Sequence, residues 1–197
     1  MTPKFHKPFS PIIMETQVPD RFVDIVNTIS DKVISSDSAS REWDWSHMLV
    51  GKVHKEIQIP VRDNDDKEFL MQVMKGGCVD YLKESIKSNT AYGWRKIADN
   101  AIPTMVIYLK LPPKMHEEIE EDFKDHYPAN GLIEFMFGEN QEFRSDNLKF
   151  KPEVGKMLIF PSWLKHFVYP FKSEGERRSM SFNAHMHVPK PTREYKL

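Results

Sequence analysis

The sequence predicts a mostly β-structured protein with helices on its flanks. Two apolar runs, residues 157–160 and 167–169, stand on either side of a Pro-Ser turn. A third run, residues 179–183, alternates polar and apolar side chains with the period of a strand. Residues 103–109 are rich in β-branched and aromatic side chains, which indicates a core strand.

Length and composition are typical of a globular chain of one domain, spanning residues 1–197. The 40% hydrophobic content is balanced by 29% charged residues. A net charge of −1 gives no electrostatic footprint for nucleic acid or for a membrane surface. The single cysteine, Cys78, and the absence of a long apolar run near the N-terminus predict a cytoplasmic protein without a signal peptide or membrane span.

The N-terminal region combines an extended segment with a helix. Residues 1–18 alternate apolar residues with prolines, which favours an extended arm or edge strand. Pro19 then marks a helix start. One face of this helix is predicted to be buried through Phe22, Ile25, Val26, Ile29 and Val33. Residues 35–40 are predicted to form a polar loop.

Between the first helix and the predicted core strand, the pattern indicates packing and a second helix. Trp43 and Trp45 are interpreted as core residues, because large aromatic side chains mostly pack inside. Residues 63–66 form an acidic turn that lacks the ligand spacing of a calcium loop. A helix is predicted over residues 68–87, weakened or broken by the two glycines at 76–77.

The region between the predicted core strand and the C-terminal runs contains one insertion and one further strand. Residues 112–126 are rich in Glu and Lys and predict an exposed helix or loop with a solvated face. Residues 131–138 alternate around a glutamate and predict a strand that ends at its glycine. Residues 141–150 are predicted to be a polar excursion over a pocket, and residues 152–155 a turn.

His166 and Arg177 are the most informative pair of side chains. Their separation leaves room for a strand, a tight turn and a return, so we expect two antiparallel neighbours facing one pocket. A neutral imidazole is a ligand for iron, zinc or copper. A guanidinium suits a planar carboxylate bound through two hydrogen bonds.

The C-terminal motif FPSWLKHFVYP, followed by GERRSMSFN, resembles the Fe(II)/2-oxoglutarate-dependent dioxygenases. The similarity is greatest to their prolyl-hydroxylase-like group and to small bacterial and phage members, and it covers about residues 103–183. It implies a double-stranded β-helix, a jelly-roll or cupin-like fold. Residues 91–188 would form the core, and residues 1–90 an arm with supporting helices. The resemblance makes His166 an iron ligand and assigns Arg177 and Ser179 to the distal carboxylate of 2-oxoglutarate.

The resemblance also assigns residues upstream of this motif. Tyr108 matches a tyrosine that hydrogen-bonds the same carboxylate, and Asp99 matches the acidic iron ligand. Ile97 stands where the family has its first histidine, so the iron triad is incomplete. No catalytic residue is expected beyond the metal ligands, and Asn183 could direct its amide into the pocket.

Three accounts of Ile97 stay open. Another histidine, such as His126 or His54, could replace the missing ligand. The chain could be an inactive relative, or the register that identifies Asp99 could be wrong. We favour a weakened or disabled iron site over a substitute ligand.

The resemblance implies an oxygenase with Fe(II) and 2-oxoglutarate as cofactors. Its substrate would be a small molecule or a protein side chain, and a homodimer could form through the N-terminal arm. The alternative is an inactive β-helix that binds a partner and retains an anion pocket. A second alternative is a cupin-type metal protein that uses His185 and His187.

Overall fold

The computed structural model describes most of the chain, with gaps. The described residues are 3–6, 11–46, 55–88, 103–124, 126–139, 142 and 145–185. Within them the strands are β1 (Lys4–His6), β2 (Ile13–Gln17), β3 (Pro103–Lys110), β4 (Ile133–Met136), β5 (Asn147–Phe150), β6 (Lys156–Pro161), β7 (Lys165–Val168) and β8 (Arg178–Asn183). The helices are α1 (Asp20–Ser35), α2 (Asp37–Glu42), α3 (Asn64–Ser88) and α4 (Met115–Asp122).

The strands form two antiparallel sheets. The larger sheet has the order β1-β2-β6-β3-β8, and the smaller has the order β5-β4-β7. Helices flank the larger sheet, which agrees with the predicted combination of β structure and flanking helices. None of the helices in the described ranges is long and apolar enough to cross a membrane.

Two apolar clusters lie on opposite faces of the larger sheet. Alternate residues of β3 and β6 face helices α1 and α3, among them Met105, Met157 and Ile159, all at most 2% exposed. The intervening residues, such as Leu158 and Phe160, face the smaller sheet. The larger sheet is therefore buried on both faces at its centre, and the inner face is the one shared with the smaller sheet.

The described parts of the N-terminal segment, residues 3–6 and 11–18, are extended, as predicted, and contribute two strands. Strand β1 lies at the edge of the larger sheet, whereas β2 is paired on both sides, with β1 and with β6. The polar loop predicted for residues 35–40 is wrong, because α1 continues to Ser35 and α2 follows at once. Ser36 caps α2, its hydroxyl accepting a hydrogen bond from the Ala39 N–H.

Helix α1 begins as predicted, although its buried face is rotated. The buried side chains are Phe22, Val23, Val26, Ser30 and Val33. Ile25 and Ile29, which the apolar period placed inside, are only half-buried. The small Ser30 side chain takes an inner position because α1 packs closely against the sheet and its neighbouring helices.

Helix α3 is continuous, so the break predicted at residues 76–77 is wrong. A Cβ atom at Gly77 would lie 2.8 Å from Met157 Cε and 2.9 Å from Ile159 Cδ1. The glycine therefore allows the helix to approach β6. The acidic turn predicted just before it is the helix start, where Asp63 Oδ1 accepts a hydrogen bond from the Asp66 N–H.

Three further predictions concern the two tryptophans, the polar excursion and the acidic insertion. Trp43 is half-buried and Trp45 is 43% exposed, so the prediction that Trp45 is a core residue is wrong. Residues 147–150 form strand β5 rather than a polar excursion, because Leu148 and Phe150 pack in the inter-sheet cluster. The exposed helix predicted within residues 112–126 is α4, which buries Met115 and Ile119.

Candidate functional site

His166 lies on the inner face of β7, held in a defined orientation. Its Nδ1 is 2.9 Å from the carbonyl oxygen of Leu164. Because a carbonyl only accepts, Nδ1 carries the proton and the lone pair of the neutral ring lies on Nε2. The rings of Phe160 and Phe135 lie 4.9 and 6.0 Å from the imidazole, centroid to centroid. His166 is nevertheless exposed, so its Nε2 is available to a ligand.

Arg177 directly precedes β8 and is half-buried. Its Nη1 donates to the carbonyl oxygens of Gly131 at 3.4 Å and Tyr169 at 3.3 Å, and its Cζ lies 5.5 Å from the Phe171 ring centre. Burial lowers the pKa of the guanidinium, which still remains charged at neutral pH. Among the described residues no carboxylate pairs with it. A partly buried cation in this state is a site for an anion.

Tyr108 contributes a buried hydroxyl to the same region. Strand alternation places Tyr108 on the side of Val106, which packs against the inter-sheet cluster, and opposite to Ile107 on the helix side. Tyr108 is 1% exposed, and its hydroxyl has no hydrogen-bond partner within the described ranges. Burial raises the pKa of this phenol to about 12, while the positive charge of Arg177 opposes the rise.

Ser179 and Asn183 extend this face along β8. Ser179 is directly opposite Tyr108 in the pairing of β3 with β8, and Asn183 is opposite Thr104. The Thr104 hydroxyl donates to Asn183 Oδ1 at 2.7 Å, which orients the amide. Both β8 residues are exposed. The β3–β8 pair therefore presents a row of polar side chains on the inner side.

The structure corrects one expectation about His166 and Arg177. The strands β7 and β8 are not paired neighbours, because β7 pairs with β4 in the smaller sheet and β8 pairs with β3 in the larger. Residues 169–177 carry the chain from one sheet to the other. The imidazole and the guanidinium thus belong to opposite sheets.

Several of the predicted ligands lie outside the described residues. These are Asp99, His54 and His187, and Ile97, at the expected position of the first histidine, lies outside them as well. His185 is described and lies exposed, two positions beyond the end of β8. Within the described part of the chain, no group of three or more His, Cys, Asp or Glu side chains could hold a metal ion.

His126, the other proposed substitute ligand, is described and exposed. It precedes Tyr127, whose hydroxyl donates to the buried carboxylate of Glu134 at 2.9 Å. Glu134 points away from Phe135, which faces inward and contacts His166. Tyr127 therefore binds on the outer face of the smaller sheet, opposite to the face that carries His166.

Two features of the site were not predicted from the sequence. Phe171 packs under Arg177, and Glu118 of α4 binds the backbone of the turn between β7 and β8. Glu118 stands in a run of acidic residues that was interpreted as a solvated face. In the sequence, Glu118 differs from the other glutamates of this run only in its position three residues after the buried Met115.

The residues present fit a dicarboxylate better than they define a metal centre. Arg177 offers a cation, and Tyr108 and Ser179 offer hydroxyl donors beside it. The Tyr108 hydroxyl, which has no hydrogen-bond partner in the described part of the chain, is a group that a bound carboxylate would satisfy. For a metal, the described part of the site supplies the single imidazole of His166.

Comparison with known proteins supports the resemblance carried by the C-terminal motif. Residues 89–183, just under half of the chain, match the model of a family described as "Putative 2OG-Fe(II) oxygenase". No curated protein matches the chain. The family match confirms the relationship suggested by the sequence and indicates an oxygenase domain.

Proposed function

We propose that this chain is an Fe(II)/2-oxoglutarate-dependent dioxygenase that hydroxylates a small molecule or a protein side chain. The family match over residues 89–183 supports the class of reaction. The observation that supports 2-oxoglutarate as the co-substrate is the buried hydroxyl of Tyr108, which lies beside the charge of Arg177 and is without a hydrogen-bond partner among the residues that the structure describes.

The strand connections support a double-stranded β-helix as the core. From β3 onward the chain passes from the larger sheet to the smaller, through β4 and β5, and back in β6. It then crosses once more in each direction, through β7 and β8. Two facing antiparallel sheets joined in this way are the basis of a jelly roll.

In the proposed site, Arg177 forms the ion pair with the distal carboxylate of 2-oxoglutarate. The hydroxyls of Tyr108 and Ser179 donate to the same group, and the Asn183 amide, oriented by Thr104, lines the wall. This face orients the co-substrate through its distal carboxylate.

Iron would be held by His166 through Nε2 and by Asp99. When bound, Fe(II) and 2-oxoglutarate together supply the reduction of oxygen that hydroxylates the substrate. The bond from His166 to Leu164 fixes the ring tautomer, as partners of metal-bound histidines do. Ile97 provides no ligand, so we expect weak iron binding.

The second candidate is an inactive β-helix that binds a carboxylate-bearing partner through Arg177. Ile97 in place of the first histidine favours it, because this protein could retain the anion pocket without the metal. The two candidates differ in their dependence on iron.

An anaerobic titration with Fe(II) and 2-oxoglutarate tests the proposal, monitored by the visible charge-transfer band of the ternary complex. We expect a weak band in the unmodified protein, a stronger one in Ile97→His and a loss in Arg177→Ala. A band only in Ile97→His would identify the unmodified chain as a disabled oxygenase. If no protein in the series gives a band, the iron assignment is wrong.

We further propose that residues 1–197 form one cytoplasmic domain. Residues of β2, α1 and α3 share one apolar cluster with β3 and β6, which supports a single unit. Cys78 is free and buried, and a chain whose one cysteine is a free thiol suits a reducing compartment.

A further inference from the structure

Glu118 attaches helix α4 to the turn between β7 and β8. One carboxylate oxygen accepts a hydrogen bond from the Lys172 N–H at 2.8 Å. The other accepts from the Ser173 N–H at 2.7 Å and from the Ser173 hydroxyl. Three donors on one carboxylate make a directional contact, since charge-assisted hydrogen bonds are about twice as strong as neutral ones.

The same turn carries the residues that surround Arg177. Phe171 lies under the guanidinium and packs against the apolar cluster of α4. That cluster consists of Met115 and Ile119 of α4 together with Leu132, which directly precedes β4. The turn is therefore fastened to α4 at two adjacent points, by the apolar contact of Phe171 and by the carboxylate of Glu118.

Arg177 itself is only loosely held by its own hydrogen bonds. Its contacts with Gly131 and Tyr169 are 3.4 and 3.3 Å long, beyond the usual N–H···O distance of about 2.9–3.0 Å. Gly131 also donates to the Pro170 carbonyl at 2.9 Å, which joins this segment to the turn. A Cβ atom at Gly131 would lie 2.9 Å from Met115 Cε, so α4 abuts the same segment.

We infer that Glu118 is a positioning residue for the co-substrate anchor: by fixing the β7–β8 turn to α4, it holds Arg177 where the distal carboxylate of a five-carbon keto diacid binds. This inference rests on the proposed function. It assigns the acidic insertion helix a role in co-substrate selection. Ser173 shares that role, because its hydroxyl and its N–H both bind Glu118.

Binding of two ligands distinguishes a positioning role of Glu118 from a role in general stability. 2-Oxoglutarate and 2-oxovalerate have the same keto acid end, but 2-oxovalerate carries a methyl group in place of the distal carboxylate. A misplaced Arg177 weakens binding of the diacid alone, whereas a loosened fold weakens binding of both. Dissociation constants are measured without metal, from the thermal stabilisation that each ligand produces, so the state of the iron ligands does not enter.

The variants form a graded series. We expect Glu118→Gln to raise the dissociation constant for 2-oxoglutarate about tenfold, because an amide nitrogen would face an N–H donor. Ser173→Ala retains both backbone bonds and should raise it about threefold. Glu117→Gln makes the same charge change on an exposed position of α4 and should leave it unchanged. Binding of 2-oxovalerate should be the same in all four proteins.

Two results would overturn the inference while leaving the proposed function intact. In the first, Glu118→Gln binds 2-oxoglutarate as tightly as the unmodified protein. In the second, it loses affinity for both keto acids equally, which would make the contact merely structural. If the unmodified protein does not prefer 2-oxoglutarate to 2-oxovalerate, the proposed function and the inference both fall.

Discussion

Tyr108 places a polar hydroxyl in a deeply buried position, and folding alone disfavours burial of such a group without a partner. Its ring fills space on the inner face of β3, but its hydroxyl has no partner among the described residues. An orphaned donor costs free energy on folding, since it loses water and gains nothing in return. A ligand that accepts from this hydroxyl would recover that free energy on binding.

Replacing Tyr108 by Phe should therefore weaken binding of 2-oxoglutarate without lowering the stability of the fold. We expect the free energy of unfolding to change by less than about 0.5 kcal/mol or to rise by up to about 1 kcal/mol. The affinity for 2-oxoglutarate should fall about tenfold, because a hydrogen bond to a charged group is lost. Urea denaturation and ligand titration measure the two quantities.

Tyr81→Phe is the matched control for stability. The Tyr81 hydroxyl is also buried, but it donates to the Ile12 carbonyl at 3.2 Å. Its removal should cost about 1 kcal/mol and leave the affinity for 2-oxoglutarate unchanged. If Tyr108→Phe costs as much as the control, the Tyr108 hydroxyl has a partner in the free protein.

At the scale of elements, close packing of α3 on β6 depends on one of two adjacent glycines. Gly77 faces Met157 and Ile159, both of them buried, whereas a Cβ atom at Gly76 would meet nothing within 4 Å. The sequence alone cannot distinguish the two, because both carry the same helix-breaking tendency. Their orientation on a packed helix decides which one is required.

Gly77→Ala and Gly76→Ala should change stability in opposite directions. The first forces a methyl group against two buried side chains and should lower the free energy of unfolding by about 1–2 kcal/mol. The second should raise it by roughly 0.5–1 kcal/mol through helix propensity. Urea denaturation of both variants measures the difference, and equal effects would contradict the packing of α3 on β6.

The contact between α4 and the β7–β8 turn should depend on pH. Partial burial raises the pKa of the Glu118 carboxyl, but the hydrogen bonds from Ser173 and Lys172 outweigh it and the net pKa is lowered. A carboxyl with a depressed folded-state pKa contributes stability above its unfolded pKa. That contribution is lost as the pH falls through the folded-state value.

The stability difference between the unmodified protein and Glu118→Gln should follow this dependence. We expect it to be largest near neutral pH and to shrink once the pH falls below 4.5, the ordinary value for glutamate. Urea denaturation at several pH values measures it. A difference that does not change with pH would mean that the ionised carboxylate is not what holds the turn.

At the scale of the whole molecule, the N-terminal elements complete the core around the C-terminal strands. Helices α1 and α3 cover the outer side of β3 and β6, and β2 pairs with one edge of β6. Side chains such as Ile107 and Ile159 are fully buried as a result. The region that matches the oxygenase family is therefore enclosed by elements that precede it.

A fragment that begins at residue 91 should not fold cooperatively. It would expose the apolar outer face of the larger sheet and leave β6 without one of its neighbours, so it lacks much of the buried area that opposes chain entropy. We expect no sigmoidal urea transition by circular dichroism, in contrast to the full chain. A cooperative transition in the fragment would contradict the proposal of a single domain.

Patterns along the chain predicted several of the local elements and the chemistry of the motif. Period-two alternation identified β4 and β8, and the 3.6-residue period identified α1, because each pattern reflects which side of one element is buried. The β-branched and aromatic content of residues 103–109 identified β3. The residue types at His166, Arg177 and Ser179 indicated the oxygenase family that the comparison confirmed. These features depend on neighbours along the chain.

The tertiary structure fixes the features that depend on contacts between residues distant in sequence. It placed β7 and β8 in opposite sheets, since a nine-residue connection permits either a hairpin or a crossing and only long-range pairing selects one. It made Gly77 a packing residue and Glu118 a partner of the β7–β8 turn. It also left the Tyr108 hydroxyl buried beside Arg177, because partners across two sheets are fixed by the packing of the whole chain.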